Sequence, residues 1–298
     1  MNHLPLTVCL VFAFTYLWIV IEFAKKPKKR RKTAIDALIF TIIIVLLFLF
    51  GPLIAISPIK PGYETRVEGT ITIIYPNAFS PEADRFLETT KKAERNMYSI
   101  YQETYPVKII WAKSSFDMMR FVGRSHGGAA GLAAIVVSPD RMDEGVLTHE
   151  LSHRYLQQKV GKLGIFFPRW FDEGLATYLG HTDSMAKYTS DGIIRDALQK
   201  GLYQKDLSYW HGLIGYIHWL QDVRKRPMEI YSQSYFLIKY LADTYGEEKL
   251  KSLIEESKSA RGFDEAFFRV YQLTVNDFHQ SFLAAFKESH QMQGETNL

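Results

Sequence analysis

From Ala37 to Ile56 the chain runs ALIFTIIIVLLFLFGPLIAI without one charged side chain. A helix rising 1.5 Å per residue needs about 20 such residues to cross a hydrocarbon core, and a buried helix of a soluble domain keeps a polar side. The stretch therefore reads as a membrane span. Leu4 to Phe23, in which only Glu22 is charged, reads as another.

Between the two lie Lys25, Lys26, Lys28, Lys29, Arg30, Arg31 and Lys32. A secretory signal carries its positive charge before the apolar stretch and a cleavage site after it, the reverse of what stands here. A short basic loop stays on the cytoplasmic side. Residues 1–59 are thus expected to form a transmembrane helical hairpin with its basic tip inside. The amino terminus and residues 60–298 then lie on the extracytoplasmic face of the cell membrane.

Those seven cations against Glu22 and Asp36 give the hairpin a net charge of +5, so of the chain's +4, residues 60–298 hold −1. That part shows no basic patch or aromatic-basic interleaving, and no nucleic-acid partner is expected. The lipid bilayer is a partner by the two spans. The basic run Lys25 to Lys32 suits anionic lipid head groups, although a topology signal alone accounts for it better. The sole cysteine, Cys9, falls in the first span, so the remainder has no disulfide.

After Ser57-Pro58-Ile59-Lys60-Pro61-Gly62, a stiff linker, Thr70 to Tyr75 and Val107 to Trp111 have strand character. Pro81 to Tyr101 and Ser115 to Val122 have helical spacing. Gly123 to Gly131 is glycine-rich without phosphate-binding spacing, a flexible loop or a substrate contact, and its His126 is given no role. Leu132 to Ser138 reads as a further strand.

Next comes HELSH, residues 149–153. Leu147, Leu151 and Tyr155 recur every four residues beside it, and Asp143 or Thr148 can cap the start, so the segment is an amphipathic helix. His149 and His153 then stand one turn apart on one face, within reach of a single ion. A catalytic zinc takes three protein ligands and leaves the fourth position to water. A second helix begins near Pro168 and carries Asp172 and Glu173 in its first turn, with Trp170, Phe171, Leu175, Ala176, Tyr178 and Leu179 at helical spacing. Nineteen residues, with a turn at Gly161 to Gly164, separate His153 from Glu173, enough for the chain to return. Glu173 is taken as the third ligand of one Zn2+ per chain.

With HELSH followed by WFDEGLATY at 170–178, the chain resembles the gluzincin metallopeptidases, whose zinc is held by HExxH and a glutamate on a later helix. The second run is similar to their W-[LF]-x-E-G-[LF]-A-x-Y. A spacing one residue longer than in the aminopeptidase-N-like branch favours the peptidase-MA-like branch, and leaves Asp172 as an alternative ligand. Metzincins need a third histidine where Lys159 stands. The resemblance covers roughly residues 70 to 290 and implies an α+β fold, a thermolysin-like zincin domain after the two transmembrane helices. Its mixed α/β half (60–160) has an edge strand at Ala133 to Val137 that binds extended substrate, its all-α half follows (161–298), and zinc lies in the cleft between them.

Tyr231 to Leu241 is similar to the Y-x-K-G-x-x-x-L-x-x-L segment of the aminopeptidase-like branch, which implies that Tyr231 hydrogen-bonds the tetrahedral intermediate. Gln233 and Ser234 replace the lysine and glycine, and Tyr235 one turn on keeps the choice open. The remaining pattern is helical almost to the end. Trp210, His211, His218 and Trp219 read as core rather than as a substrate site, and His181 is not a ligand.

Two neutral imidazoles and one carboxylate leave a zinc site about one positive charge, which acidifies water in its open position. Glu150 beside His149 is the expected general base, passing the proton to the leaving amine. The expected protein is a membrane-anchored zinc endopeptidase acting on a peptide or protein substrate outside the cytoplasm. The alternative is a catalytically idle scaffold or binding protein on the same fold, against which the intact Glu150 argues.

Overall fold

The computed structural model describes residues 4–125, 127–131, 133–161 and 167–295; side chains at 4–10, 183–185 and 289–295 are excepted. His126, Leu132 and part of the turn expected at Gly161 to Gly164 lie outside the described residues. In chain order the elements are α1 (Leu4–Lys25), α2 (Arg30–Phe50), β1 (Tyr63–Glu68), β2 (Ile71–Pro76), α3 (Ala83–Tyr101), β3 (Val107–Trp111) and α4 (Ser115–Val122). There follow β4 (Gly128–Ala130), β5 (Ile135–Val137), α5 (Glu144–Val160), α6 (Arg169–Leu179), α7 (Asp191–Gln199) and α8 (Gly212–Lys225). The last four are α9 (Pro227–Tyr245), α10 (Glu247–Glu256), α11 (Phe263–Tyr271) and α12 (Val275–Glu295). The protein is mixed α+β with one sheet, and it packs as two compact units.

The first unit holds residues 1–85 and 106–141. Helices α1 and α2 meet through Phe12 with Phe40 and Phe48, at ring-centroid distances of 6.3 and 5.8 Å, and through Tyr16 Oη with Thr41 Oγ1 at 2.5 Å. Among the described residues one helix, Pro27–Phe50, is long and apolar enough to cross a membrane, and none of its apolar stretch is buried. That is one candidate rather than the two expected, although the first expected span is helical throughout, as α1.

Over the second expected span, Ala37 to Ile56, the helix stops at Phe50. Gly51 leaves the helix in an extended conformation, and Pro52, with no N–H to donate, cannot resume it. A 3-10 turn, Ile54–Ile56, follows instead. Ile54 and Ala55 sink into a core with Ile74, Ile110, Met118, Phe121 and Val136, and Lys108 Nζ donates to the Ala55 carbonyl at 2.6 Å. The apolar run therefore ends by seeding the sheet's core.

The sheet runs β1-β2-β3-β5-β4. Its three central strands are parallel, and β1 and β4 pair antiparallel on the outside. This corrects the expected edge strand at Ala133 to Val137. The strand there, β5, is interior, because Gly128 to Ala130 pairs along it with Gly128 opposite Val137 and Ala130 opposite Ile135. Two alanines after a glycine carry no strand signature, so the sequence does not mark β4 within its glycine-rich stretch. Strand β1, YETRVE, went unread for a related reason: it is an edge strand whose side chains after Tyr63 are all exposed.

The second unit holds residues 86–105 and 142–298, and so contains α5 as well as the later helices. Asp143, not Thr148, caps α5 by accepting from the Val146 N–H at 3.0 Å, and Gly161 ends it in the left-handed conformation at φ 70°. Helix α3 holds its outer side: Tyr101 Oη donates to the Ser152 carbonyl at 3.1 Å, Tyr155 Oη to Glu94 at 3.0 Å, and Asn96 to Glu144 at 3.0 Å. Leu147, Leu151 and Tyr155 are fully buried. So tied, α5 can only turn its histidines toward α6.

Helix α6 is buried along nearly its whole length. Gly174 lets it lie directly on α9: a β-carbon there would meet the Ser234 carbonyl oxygen at 2.4 Å. At its end a β-carbon on Gly180 would meet the Gly145 carbonyl oxygen at 2.7 Å and His149 Cβ at 3.2 Å. The absence of two side chains therefore sets how close α5, α6 and α9 come. Trp210 and Trp219 are core, as read, with ring centroids 4.8 Å apart and Trp210 Nε1 donating to Asp222 at 2.9 Å, whereas His211 and His218 are only partly buried.

Candidate metal centre

His149, Glu150 and His153 stand on α5 and Asp172 and Glu173 on α6, all nearly excluded from solvent. His149 Nε2 lies 3.3 Å from His153 Nε2 and 3.3 Å from Glu173 Oε2, and His153 Nε2 lies 3.6 Å from the same oxygen. A tetrahedral ion with bonds of ~2.0–2.1 Å separates its ligand atoms by about 3.3–3.4 Å; two of these three separations match, and the third is wider at 3.6 Å. Neither approach to the carboxylate is a hydrogen bond, so Oε2 is buried without a partner among the described residues. Such an atom costs about 1–3 kcal/mol unless something satisfies it. Two imidazole nitrogens and a carboxylate oxygen converging this way are a zinc-type donor set, and His149, His153 and Glu173 could hold a metal ion.

Asp172 faces elsewhere. Its Oδ1 lies 2.7 Å from His153 Nδ1, so that nitrogen donates and Nε2 keeps its lone pair for the ion, the usual arrangement of a ligating histidine. Arg169 donates through Nη1 to Asp172 Oδ2 at 2.5 Å and through Nη2 to Glu173 Oε1. Nothing in the sequence reading pointed to Arg169, although its spacing of three and four residues from the two acids is the signal of same-face ion pairs on a helix. His149 Nδ1 has no partner among the described residues.

The electrostatics follow from these pairings. Burial opposes charge on His153, but Asp172 and then Glu173 outweigh it and hold the imidazole's pKa well above the ordinary value. Burial likewise opposes charge on Glu173, and Arg169 and then His153 outweigh it, so its carboxyl lies well below the ordinary range. Asp172 is lowered too, burial being outweighed by His153 and Arg169. These directions belong to the protein groups alone; a divalent cation on the three ligand atoms requires both imidazoles neutral.

Glu150 is 7 % exposed, and among the described residues no hydrogen bond or ion pair holds its carboxylate. Tyr231, on the first turns of α9, packs edge-on against His149 at a centroid distance of 6.2 Å, with Tyr188 at 5.3 Å and Trp219 at 6.0 Å around it. Tyr235 packs instead with Tyr178 at 6.3 Å and His181 at 5.5 Å. Trp219 is thus core and also the backing of the site.

The family model of the Peptidase MA superfamily matches residues 115–288, more than half of the chain, and spans every one of these groups. The chain belongs to the Peptidase MA superfamily. A match outside the family model is the uncharacterized protein YhcO of Bacillus subtilis (strain 168), 24 % identical over 147 residues, which is 48 % of this chain and 41 % of that protein. The chain thus spans about two fifths of that relative's length. Superfamily membership places the His149, His153 and Glu173 cluster in a peptidase-related domain.

Proposed function

We propose that the protein is a membrane-anchored zinc metallopeptidase of the gluzincin type that hydrolyses peptide bonds on the extracytoplasmic face. The observation that carries this reading is the convergence of His149 Nε2, His153 Nε2 and Glu173 Oε2 beside a buried Glu150 with no protein partner among the described residues. A bound zinc ion supplies Lewis-acid polarisation of the scissile carbonyl and acidifies water at its open position.

The remaining steps belong to this chain's residues. Glu150 takes the proton of the attacking water and gives it to the leaving amine, so a buried carboxylate not committed to another group is what the step needs. Tyr231 donates its hydroxyl proton toward the developing oxyanion, and its position against His149, where Tyr235 is not, supports giving it that role. Asp172 keeps His153 in the tautomer that presents Nε2.

Anchoring rests on the span Pro27–Phe50, with α1 as the other arm of a hairpin held by the aromatic contacts of Phe12 and Tyr16. Lys25 to Lys32 at the tip hold it to the cytoplasmic leaflet, where anionic head groups complement them.

Glu150→Gln in the full-length protein tests the catalytic assignment. The variant is expected to bind zinc as the wild type does and to cleave an unstructured protein such as casein ~10² to 10⁴ times more slowly. Wild type and variant equally inert on a wide peptide library, both holding zinc, would point to a binding protein on this fold. Equal cleavage by both would remove Glu150 from the mechanism.

A further inference from the structure

We infer that Arg169 is the positioning residue of the metal centre: its guanidinium fixes which oxygen of Glu173 an ion meets and, through Asp172, which nitrogen of His153. The inference rests on the metallopeptidase reading, since without an ion there is nothing to position. It begins from an expensive feature. Arg169 is the first residue of α6, its side chain is only 12 % exposed, and a buried guanidinium is tolerated only when its partners are well placed.

Those partners are the two adjacent acids, each gripped by its far oxygen. Nη1 takes Asp172 Oδ2, leaving Oδ1 for His153 Nδ1 at 2.7 Å. Nη2 takes Glu173 Oε1, leaving Oε2 to face His149 Nε2 at 3.3 Å and His153 Nε2 at 3.6 Å. One planar group thus orients one ligand directly and a second through a single relay. With Oε1 engaged, Glu173 offers an ion one oxygen rather than two, which preserves a free coordination position for water and substrate.

The fork is itself held. Its central carbon lies 5.1 Å above the Tyr216 ring and 6.0 Å from that of Trp219, both on α8, and Trp219 is locked against Trp210. A lysine has neither the plane to stack on these rings nor the geometry to grip two carboxylates at once.

Charge and position make opposite demands here, which renders the inference testable. Asp172, Glu173 and Arg169 together carry one negative charge, and without Arg169 they carry two. If Arg169 acted through charge alone, deleting it would tighten cation binding. If it acts by position, deletion weakens binding, by the ~10 to 100-fold typical of groups that orient metal ligands.

The experiment uses full-length protein in detergent, stripped by chelator and titrated with Zn2+ and Co2+ against a competing chromophoric chelator. Arg169→Met is expected to weaken both ions by ~10 to 100-fold. Arg169→Lys, which restores charge but not the fork, is expected to bind like Arg169→Met. Tyr216→Leu, which removes the ring beneath the fork, should fall between wild type and Arg169→Met, and keeps the test alive if the arginine variants do not fold. The visible spectrum of bound Co2+ should weaken in Arg169→Met, because a Glu173 free to bind through both oxygens raises the coordination number. Unchanged or tighter binding in Arg169→Met, or full rescue by Arg169→Lys, would overturn the inference. A wild type that takes no ion at all overturns the metal reading beneath it, and is recognised without any variant.

Discussion

His153 Nδ1 lies 2.7 Å from Asp172 Oδ1, while Glu173, the next residue along α6, turns Oε2 to the other nitrogen of the same imidazole at 3.6 Å. Two neighbouring carboxylates thereby address the two ends of one ring. Glu173→Ala is expected to remove a ligand and abolish stoichiometric zinc binding. Asp172→Asn should retain binding but weaken it ~10 to 100-fold, because an amide holds the imidazole less firmly than a carboxylate. Competition titration of the two variants checks this, and a larger loss from Asp172→Asn would exchange their roles.

Close helix approach predicts a second outcome. A β-carbon at position 174 would sit 2.4 Å from the Ser234 carbonyl oxygen, and backbone cannot give way as a flexible side chain does. Gly174→Ala should therefore force α6 off α9 and cost about 1–3 kcal/mol, the range for overpacking. Because α6 carries Glu173, zinc affinity should fall with the unfolding temperature. A variant with unchanged melting and affinity would show that α9 yields more easily than this contact implies.

His279 on α12 sets a third expectation, concerning acid. It is 1 % exposed, accepts from Tyr203 Oη through Nε2 at 2.8 Å, and burial pushes its pKa down to about 4 from the ordinary 6.5, with Asp206 opposing weakly. Between those values the unfolded chain takes a proton that the folded one refuses. Stability from this residue is thus fully present above pH 6.5 and is lost as pH falls toward 4, by about 3 kcal/mol in total. His279→Phe keeps the stacking on Tyr203, gives up about 1 kcal/mol of hydrogen bonding near neutrality, and should flatten the decline. Unfolding midpoints of both proteins at pH 7 and 4.5 measure the difference; parallel declines would exclude His279 as the source.

Orientation gives the fourth. With seven cations from Lys25 to Lys32, ahead of the apolar part of α2, residues 60–298 should be digested by protease added to intact cells or right-side-out vesicles. Protection until the membrane is permeabilised would reverse the topology.

The local chemistry was legible in the sequence because it depends on spacing within single elements. Histidines four apart share a helix face wherever the helix lies, so HELSH stated its own geometry, and the helical pattern of the chain after Glu173 agrees with α7 to α12. Spacing could not say what one element presents to another. Asp172 and Glu173 are about 100° apart around α6, and only the packing of that helix on α5 and α9 decided which carboxylate faced both histidines. Tyr231 and Tyr235 stand one turn apart on one face of α9, and the placement of that helix, set where Gly174 meets Ser234, put the first rather than the second against His149. Arg169 had the right spacing to pair with both acids, but many surface arginines share it. Burial under Tyr216 and Trp219 is what distinguishes it, and burial is a property of the assembled helices. The same holds where the apolar run past Phe50 met the sheet: hydropathy alone cannot tell lipid from a protein core, and tertiary packing gave Ile54 and Ala55 to the core.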